Sequence, residues 1–403
     1  MLREIKKPNR DHARRVMQLL VVAIRPLRVE ELAEVLAVDF DDAEGIPKLK
    51  PSWRWEDQEQ ALLTSCSSLI AIVDTGDSRV VQFSHFSVKE FLTSTRLATS
   101  SQDVSRYHIT LEPAHTILAQ ACVSALLQFP DRDEQDDVEK DAPLALYAAE
   151  YWARHAQLED VASHIKGMEY LFDSNKQYFE AWRRLHDIDT RPSETSVFYS
   201  LDCRGSHAKT PLYYAALCGF SSLVEQLIVE HPQQVNVICG YYGTPAVAAL
   251  AGRHFELAHV LHRNGSSVDP RDGIGDSTLH CAAQAGNLEM VKVLLGYGID
   301  VNVQNMNGTT PLFYTMYGNF NDSDVRVVRL LLDHGADPSA PRNNRETPLH
   351  YASRYGRADI ARLLLEHGSS VEVKDDGDRT PLDVASEERH DEIIKLLLEH
   401  RST

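Results

Sequence analysis

The stretch TPLHYASRYGRADIARLLLEHG, residues 347–368, decides how the second half of the chain folds. Thr347 suits a helix N-cap, because its hydroxyl can accept from an orphan backbone N–H, and Pro348 suits the first helical position, where no N–H is needed. The apolar run Leu363, Leu364, Leu365 makes a second helix, and Gly368 permits the left-handed turn that ends it. The opening string recurs as Thr210-Pro211-Leu212, Thr310-Pro311-Leu312 and Thr380-Pro381-Leu382, with degenerate copies at Thr244-Pro245-Ala246 and Ser277-Thr278-Leu279. Their starts at 210, 244, 277, 310, 347 and 380 are separated by 34, 33, 33, 37 and 33 residues. Gly265, Gly298 and Gly335 close further copies as Gly368 does. A helix–turn–helix unit repeated at this period is expected to stack into a solenoid.

The pattern resembles the ankyrin-repeat family over residues 201–403, with six repeats. The resemblance implies that His280 and His350, in the fourth place of T-P-L-H, hydrogen-bond between neighbouring repeats rather than bind metal or catalyse. The first copy has His231-Pro232 where a closing Gly is expected, and the second is irregular throughout. The fourth carries about four extra residues within Asn319-Phe320-Asn321-Asp322-Ser323-Asp324, expected to bulge between its helices. The last copy, with Glu387, Glu388, Asp391 and Glu392, reads as a C-terminal cap.

In the first half, helical stretches are expected around 13–24, 29–38 and 56–66. Two β-rich runs, 68–73 and 79–83, face each other across the polar turn Asp74–Ser78. Helices followed by a hairpin make a winged helix. The segments RPLRVEELAEVLA, CSSLIAIVD and VVQFSHFSVKEFLTS resemble the winged-helix segment of fungal NACHT/STAND-type signal-transduction NTPases. Helical segments around 114–129 and 143–155 are similar to the spacer those proteins place before ankyrin repeats. The expected organisation is a mostly α chain: a winged-helix domain with a small β-hairpin (1–100), a helical spacer (101–200) with an acidic loop at 131–141, and an ankyrin-repeat α-solenoid (201–403).

The NTPase core itself is not carried over. No G-x-x-x-x-G-K-[ST] loop is present to cradle phosphates, and no G-x-S-x-G elbow supports the deacylase chemistry with which such winged helices are associated by name. His85, His108 and Cys66 lack an orienting third group or an oxyanion signature, and His85 enters a helix whose Phe86, Val88, Phe91 and Leu92 read as core. No H-E-x-x-H or clustered Cys spacing marks a metal site. No enzyme activity, cofactor or metal is expected.

Fifty-nine acidic against 41 basic residues leave a formal charge of −18, which argues against nucleic acid and anionic membrane surfaces as partners. The acids of Val29–Glu44 (Glu30, Glu31, Glu34, Asp39, Asp41, Asp42, Glu44) would repel DNA phosphate. Apolar runs such as Leu19–Ile24 are far below the ~20 residues that span a bilayer. Six cysteines without C-x-x-C spacing read as reduced thiols, and an intracellular, cytoplasmic location is expected.

The expected function is binding: a non-catalytic scaffold or adaptor that holds another protein. An alternative is the regulatory and sensor portion of a NACHT/STAND ATPase, with a NACHT-type nucleotide-binding domain docking on the winged helix. A solenoid presents its repeat tips and inner helices as one concave face. Read by register, tip positions include Ser206, His207, Lys209, Tyr241, Asp276, Met306, Asn307, Thr309, Asn343, Asn344, Glu346 and Arg379. Gln284, Arg354, Tyr355 and Glu387 take inner-helix positions. Tyr241, Met306, Arg354 and Tyr355 rank first as anchors, since such side chains dominate interface energetics.

Overall fold

The computed structural model describes residues 2, 5–41, 46–66, 68–76, 78–128, 142–158, 161–189, 209–317 and 322–401. They divide into two compact units, Met1–Ile188 and Asp189–Thr403. The acidic loop 131–141 and the tip residues Ser206 and His207 lie outside the described residues.

In the first unit, α1 (Arg10–Val22), β1 (Leu27–Arg28), α2 (Val29–Leu36), α3 (Gln58–Cys66), β4 (Ile70–Asp74) and β5 (Arg79–Phe83) follow in the order of a winged helix. Between α2 and α3, the short strands β2 (Val38–Asp39) and β3 (Lys48–Leu49) form a separate antiparallel pair. The hairpin pairs Ile70 with Phe83 and Asp74 with Arg79, and β1 adds to its other edge, giving the order β1-β5-β4. The third strand was not expected, because two residues after Pro26 carry no alternation to read.

The helix immediately before the hairpin is α3, the position that enters a groove in DNA-binding relatives of this fold. It contains no Lys or Arg, and its Glu59 pairs with Arg79 of the hairpin at 2.5 Å. Of the α2 acids, Glu30 is exposed, but Glu31 and Glu34 turn inward. Glu31 is fully buried and accepts from Arg25 at 2.6 and 2.8 Å, from the Arg28 backbone N–H at 2.8 Å and from Arg28 Nε at 3.1 Å. Glu34, also buried, pairs with Arg54 and accepts from the Leu144 N–H at 2.6 Å. Glu34 ties the winged helix to the helices that follow it, while the bonds of Glu31 lie within the winged helix.

That tie explains why the spacer belongs to the same compact unit rather than starting a new one near residue 100. Helix α7 (Leu111–Leu126) lies against both α1 and the helix Pro143–Ala156, burying Leu118, Ala121, Cys122, Ala145, Ala148 and Trp152. Trp152, Phe172 and Trp182 meet edge to face at 5.3–6.1 Å, and Trp182 Nε1 donates to the Ala149 carbonyl at 3.0 Å. The geometry suits aromatic quadrupoles and satisfies the buried indole. The helix Phe86–Leu92 departs from expectation: Leu92 is buried, but Phe86 is 73% and Phe91 38% exposed. Only one side of this short helix reaches the core.

The second unit is a series of helix pairs. The first helices are Pro211–Cys218, Pro245–Ala251, Thr278–Gln284, Pro311–Tyr314, Pro348–Arg354 and Pro381–Glu387; the second are Ser221–Glu230, Phe255–Arg263, Leu288–Gly296, Asp322–Asp333, Ala358–Glu366 and Asp391–Arg401. The caps follow the sequence: Thr210, Thr244, Ser277 and Thr380 hydroxyls each accept from the N–H three residues on. Thr310 makes no such bond, and its short first helix gives way to a 3-10 turn, Thr315–Tyr317. Residues 318–321 lie outside the described residues, while Asp322–Asp324, expected in the inserted loop, begin the second helix. Gly265, Gly298, Gly335 and Gly368 all take φ between +78° and +96°, the left-handed closure that requires glycine.

Candidate partner-binding surface

From the third repeat to the sixth, an exposed tip lies just before the capping Thr or Ser, and these tips form a hydrogen-bonded ladder. The Met306 N–H donates to the Ile274 carbonyl at 3.0 Å, Asn343 N–H to Asn307 at 3.0 Å, and Asp376 N–H to Asn344 at 3.2 Å. Within a tip, a short polar side chain five residues before the cap organises the turn. Asp272 Oδ1 accepts from the N–H groups of Ile274 and Asp276, Asn305 Oδ1 from Asn307 and Thr309, and Asp375 Oδ1 from Gly377 and Arg379, all between 2.7 and 3.0 Å. This is the turn chemistry of Asx side chains, a signal legible at 272, 305 and 375.

Behind the tips, histidines join the repeats as expected. His280 Nε2 donates to the Thr309 carbonyl at 2.9 Å, while its Nδ1 accepts from the Ser277 N–H at 3.1 Å. His350 repeats the arrangement between Arg379, at 3.0 Å, and Thr347, at 3.1 Å. A carbonyl can only accept and a backbone N–H can only donate, so both imidazoles are fixed as neutral rings with the proton on Nε2. Burial lowers both pKa values, outweighing the carbonyl bonds, which favour the charged form.

The described residues expected to bind a partner separate by exposure. Met306, Asn307, Asn343, Asn344 and Tyr355 are exposed along the tips and the end of one inner helix. Arg354 and Arg379 are half-buried and engaged: Arg354 Nη2 meets Glu346 at 2.5 Å, and Arg379 meets Asp375 at 2.8 Å and Glu387 at 3.3 Å. Lys209 is half-buried on Asp189, at 3.2 Å.

Tyr241, Asp276, Gln284, Thr309 and Glu346 are corrected: all five are buried and not presented to solvent. Asp276 accepts from Tyr314 Oη at 2.5 Å and from Asn305 Nδ2 at 2.7 Å, crosslinking consecutive repeats. The Thr309 hydroxyl accepts from Arg342 Nε at 3.2 Å. Glu346 is held below the usual carboxylate range: burial pushes it up, but bonds from Asn344 and Arg354 outweigh that. Tyr241 is anchored through its backbone N–H, which donates to Asp189 Oδ2 at 2.8 Å. Register places residues along a repeat but does not show which tip side chains turn inward to satisfy one another.

Sequence reasoning missed two participants. Ile274 is 48% exposed and sits beside Met306, 71% exposed, so adjacent tips present two apolar side chains. The signal was an isoleucine between two glycines in a turn. Asp189 is the other: its buried carboxylate also accepts from Tyr213 Oη at 2.7 Å and fastens the first two repeats. Nothing in its local sequence marks it.

Among the described residues no three His, Cys, Asp or Glu side chains converge as metal ligands would, and no helix is long and apolar enough to cross a membrane. The five described cysteines are buried; burial pushes up the thiols of Cys122 and Cys218, and those of Cys66 and Cys281 to about 12.

Comparison with known proteins agrees with this architecture. Residues 245–342 and 316–403 match the family described as ankyrin repeats (3 copies), and residues 2–102 match the GPI inositol-deacylase, winged helix domain. The azaphilone pigments biosynthesis cluster protein L of Monascus ruber is 30% identical over 276 residues, 64% of this chain and 56% of that protein. The ankyrin repeat and SAM domain-containing protein 6 of Mus musculus is 32% identical over 115 residues, 28% of this chain and 13% of that protein. The probable 26S proteasome regulatory subunit p28 of Saccharomyces cerevisiae is 32% identical over 119 residues, 29% of this chain and 52% of that protein. The chain thus spans little more than half the length of the Monascus protein and less of the mouse one. Ankyrin repeats indicate a role in protein–protein interaction, and homologues with such repeats are usually non-catalytic. The chain carries ankyrin repeats over residues 245–403 and, over residues 2–102, a winged helix of the GPI inositol-deacylase type.

Proposed function

We propose that the chain is a non-catalytic scaffold that holds a partner protein on the exposed tips of repeats three to six. The observation that carries this reading is the ladder itself. Its backbone groups are satisfied by one another, so Ile274, Met306, Asn307, Asn343 and Asn344 are held outward on a rigid frame. Preorganised side chains bind with less ordering cost, and exposed apolar residues on a fixed frame mark an interaction surface. A photoreactive amino acid replacing Asn343 is expected to give a discrete protein adduct in cells of the source organism. The same residue replacing Lys292, on a second helix, should give none. Equal labelling from both positions contradicts the proposal.

A second reading, the regulatory and sensor portion of a NACHT-type ATPase, is favoured by the winged-helix match and by the exposed Phe86 and Phe91. Phe91 lines a groove together with Leu2, Leu69, Val88, Leu92 and Val104. On this reading, a nucleotide-binding chain crosslinks to a photoreactive residue at Phe86 and is lost on Phe91→Asp. Adducts without nucleotide-binding sequence count against it.

A further inference from the structure

The exposed strip changes chemistry along its length. At the third and fourth tips it presents Ile274 and Met306, and at the fourth and fifth the amides of Asn307, Asn343 and Asn344 with the Tyr355 ring nearby in sequence. At the sixth tip it presents Asp376 and Asp378, both exposed. Cations are present too: Arg345 and Lys374 are exposed, and Arg379 is engaged with Asp375 and Glu387. Even so, the segment Lys374–Glu388 sums to −4, from six acids and two bases. The backbone ladder from Ile274 through Met306, and from Asn344 to Asp376, makes these groups neighbours in sequence along one edge.

Resting on the scaffold reading above, we propose that this strip takes an extended segment of the partner with an apolar side chain at one end and a basic pair at the other. The spacing follows from the stack. Packed helices stand about 8–10 Å apart, so the three steps from the third tip to the sixth cover roughly 24–30 Å. An extended chain rises about 3.3 Å per residue, which places the two anchors about eight or nine residues apart. The apolar anchor covers Ile274 and Met306, and the basic pair meets the acidic sixth tip, where opposite potentials steer encounter and fix register.

The test is a displayed library of random 16-residue peptides selected on the whole chain. Enriched peptides are expected to share an aliphatic or aromatic residue separated by about eight or nine positions from Arg or Lys. Their binding should fall at least ~tenfold with Ile274→Asp/Met306→Asp. It should fall ~fivefold with Asp376→Lys/Asp378→Lys, with most of its salt dependence lost. Asp376→Asn/Asp378→Asn gives the same direction without introducing new charge, should the lysine variant fold poorly. Peptides that need Ile274 and Met306 but lack basic residues, or ignore both acid variants, overturn the proposal and leave the tip surface standing. Peptides indifferent to every tip substitution overturn both, and failure to enrich any peptide overturns the extended-segment proposal, which the crosslinking from Asn343 then separates from the scaffold reading.

Discussion

Lowering the pH from 7 to 5 is expected to reduce the stability of both units before most carboxylates protonate. Buried histidines are the cause. His155 is fully buried, its Nε2 2.9 Å from Tyr147 Oη and its Nδ1 2.8 Å from His115 Nδ1. Burial, with the neighbouring His115, pushes its pKa down to about 3. His115 is lowered by burial and by Lys89, and His280 and His350 by burial against the carbonyl bonds that favour the charged form. A histidine held neutral in the folded chain takes up its proton only on unfolding. Its contribution is therefore full above the free imidazole value near 6.5 and drains away as pH falls below it. For His155, whose folded value lies well below 5, the loss at pH 5 is about 2 kcal/mol. Asp189, raised by burial, runs the other way and softens the effect in the second unit. Thermal melts at pH 7, 6 and 5 should show falling midpoints, with a smaller drop in His155→Gln than in the unaltered chain. Flat midpoints over this range would contradict the neutral assignment of these rings.

The second large effect is expected at Glu34. Replacing it with Ala leaves Arg54 without its buried partner and the Leu144 N–H, at the start of a helix, without its acceptor. Breaking a buried ion pair costs about 3–5 kcal/mol, and the lower end applies because the Arg54 side chain is 30% exposed and partly hydrated. Glu34→Gln keeps an acceptor for Leu144 and should cost less. Because this carboxylate joins the winged helix to the next helices, urea unfolding of Glu34→Ala should shift α1 and α7 together. Loss of the 143–156 helix alone, with the winged helix unaffected, would show that the first unit is not cooperative.

Most of the fold was legible because its determinants are local. A Thr-Pro start, an apolar run and a closing Gly repeat with a period near 33, and each acts within one or two turns of helix. The winged helix was legible for the same reason, apart from a strand too short to alternate. The candidate surface was only half legible. Met306, Asn307, Asn343, Asn344 and Tyr355 face outward as register implied, but Asp276, Thr309 and Glu346 occupy the position just before the cap and turn inward. The partners of Asp276 and Thr309 (Tyr314, Asn305 and Arg342) come from the neighbouring repeat, outside any window around the tip, whereas Glu346 meets Asn344 and Arg354 within eight residues. The burial of Glu34 was likewise not legible, because its partners Arg54 and Leu144 lie 20 and 110 residues away.

The central claim is a division of labour, in which exposed tip residues bind and the buried ones behind them hold the stack. It is tested most directly by titrating the partner recovered from Asn343 crosslinking against two variants of the whole chain while following their melting. Ile274→Asp/Met306→Asp is predicted to weaken binding by at least ~tenfold with the melting midpoint unchanged, and Asp276→Asn to lower the midpoint while leaving the affinity of the folded protein intact. Loss of binding in Asp276→Asn at a temperature where it is folded, with full affinity in the tip variant, would contradict the account.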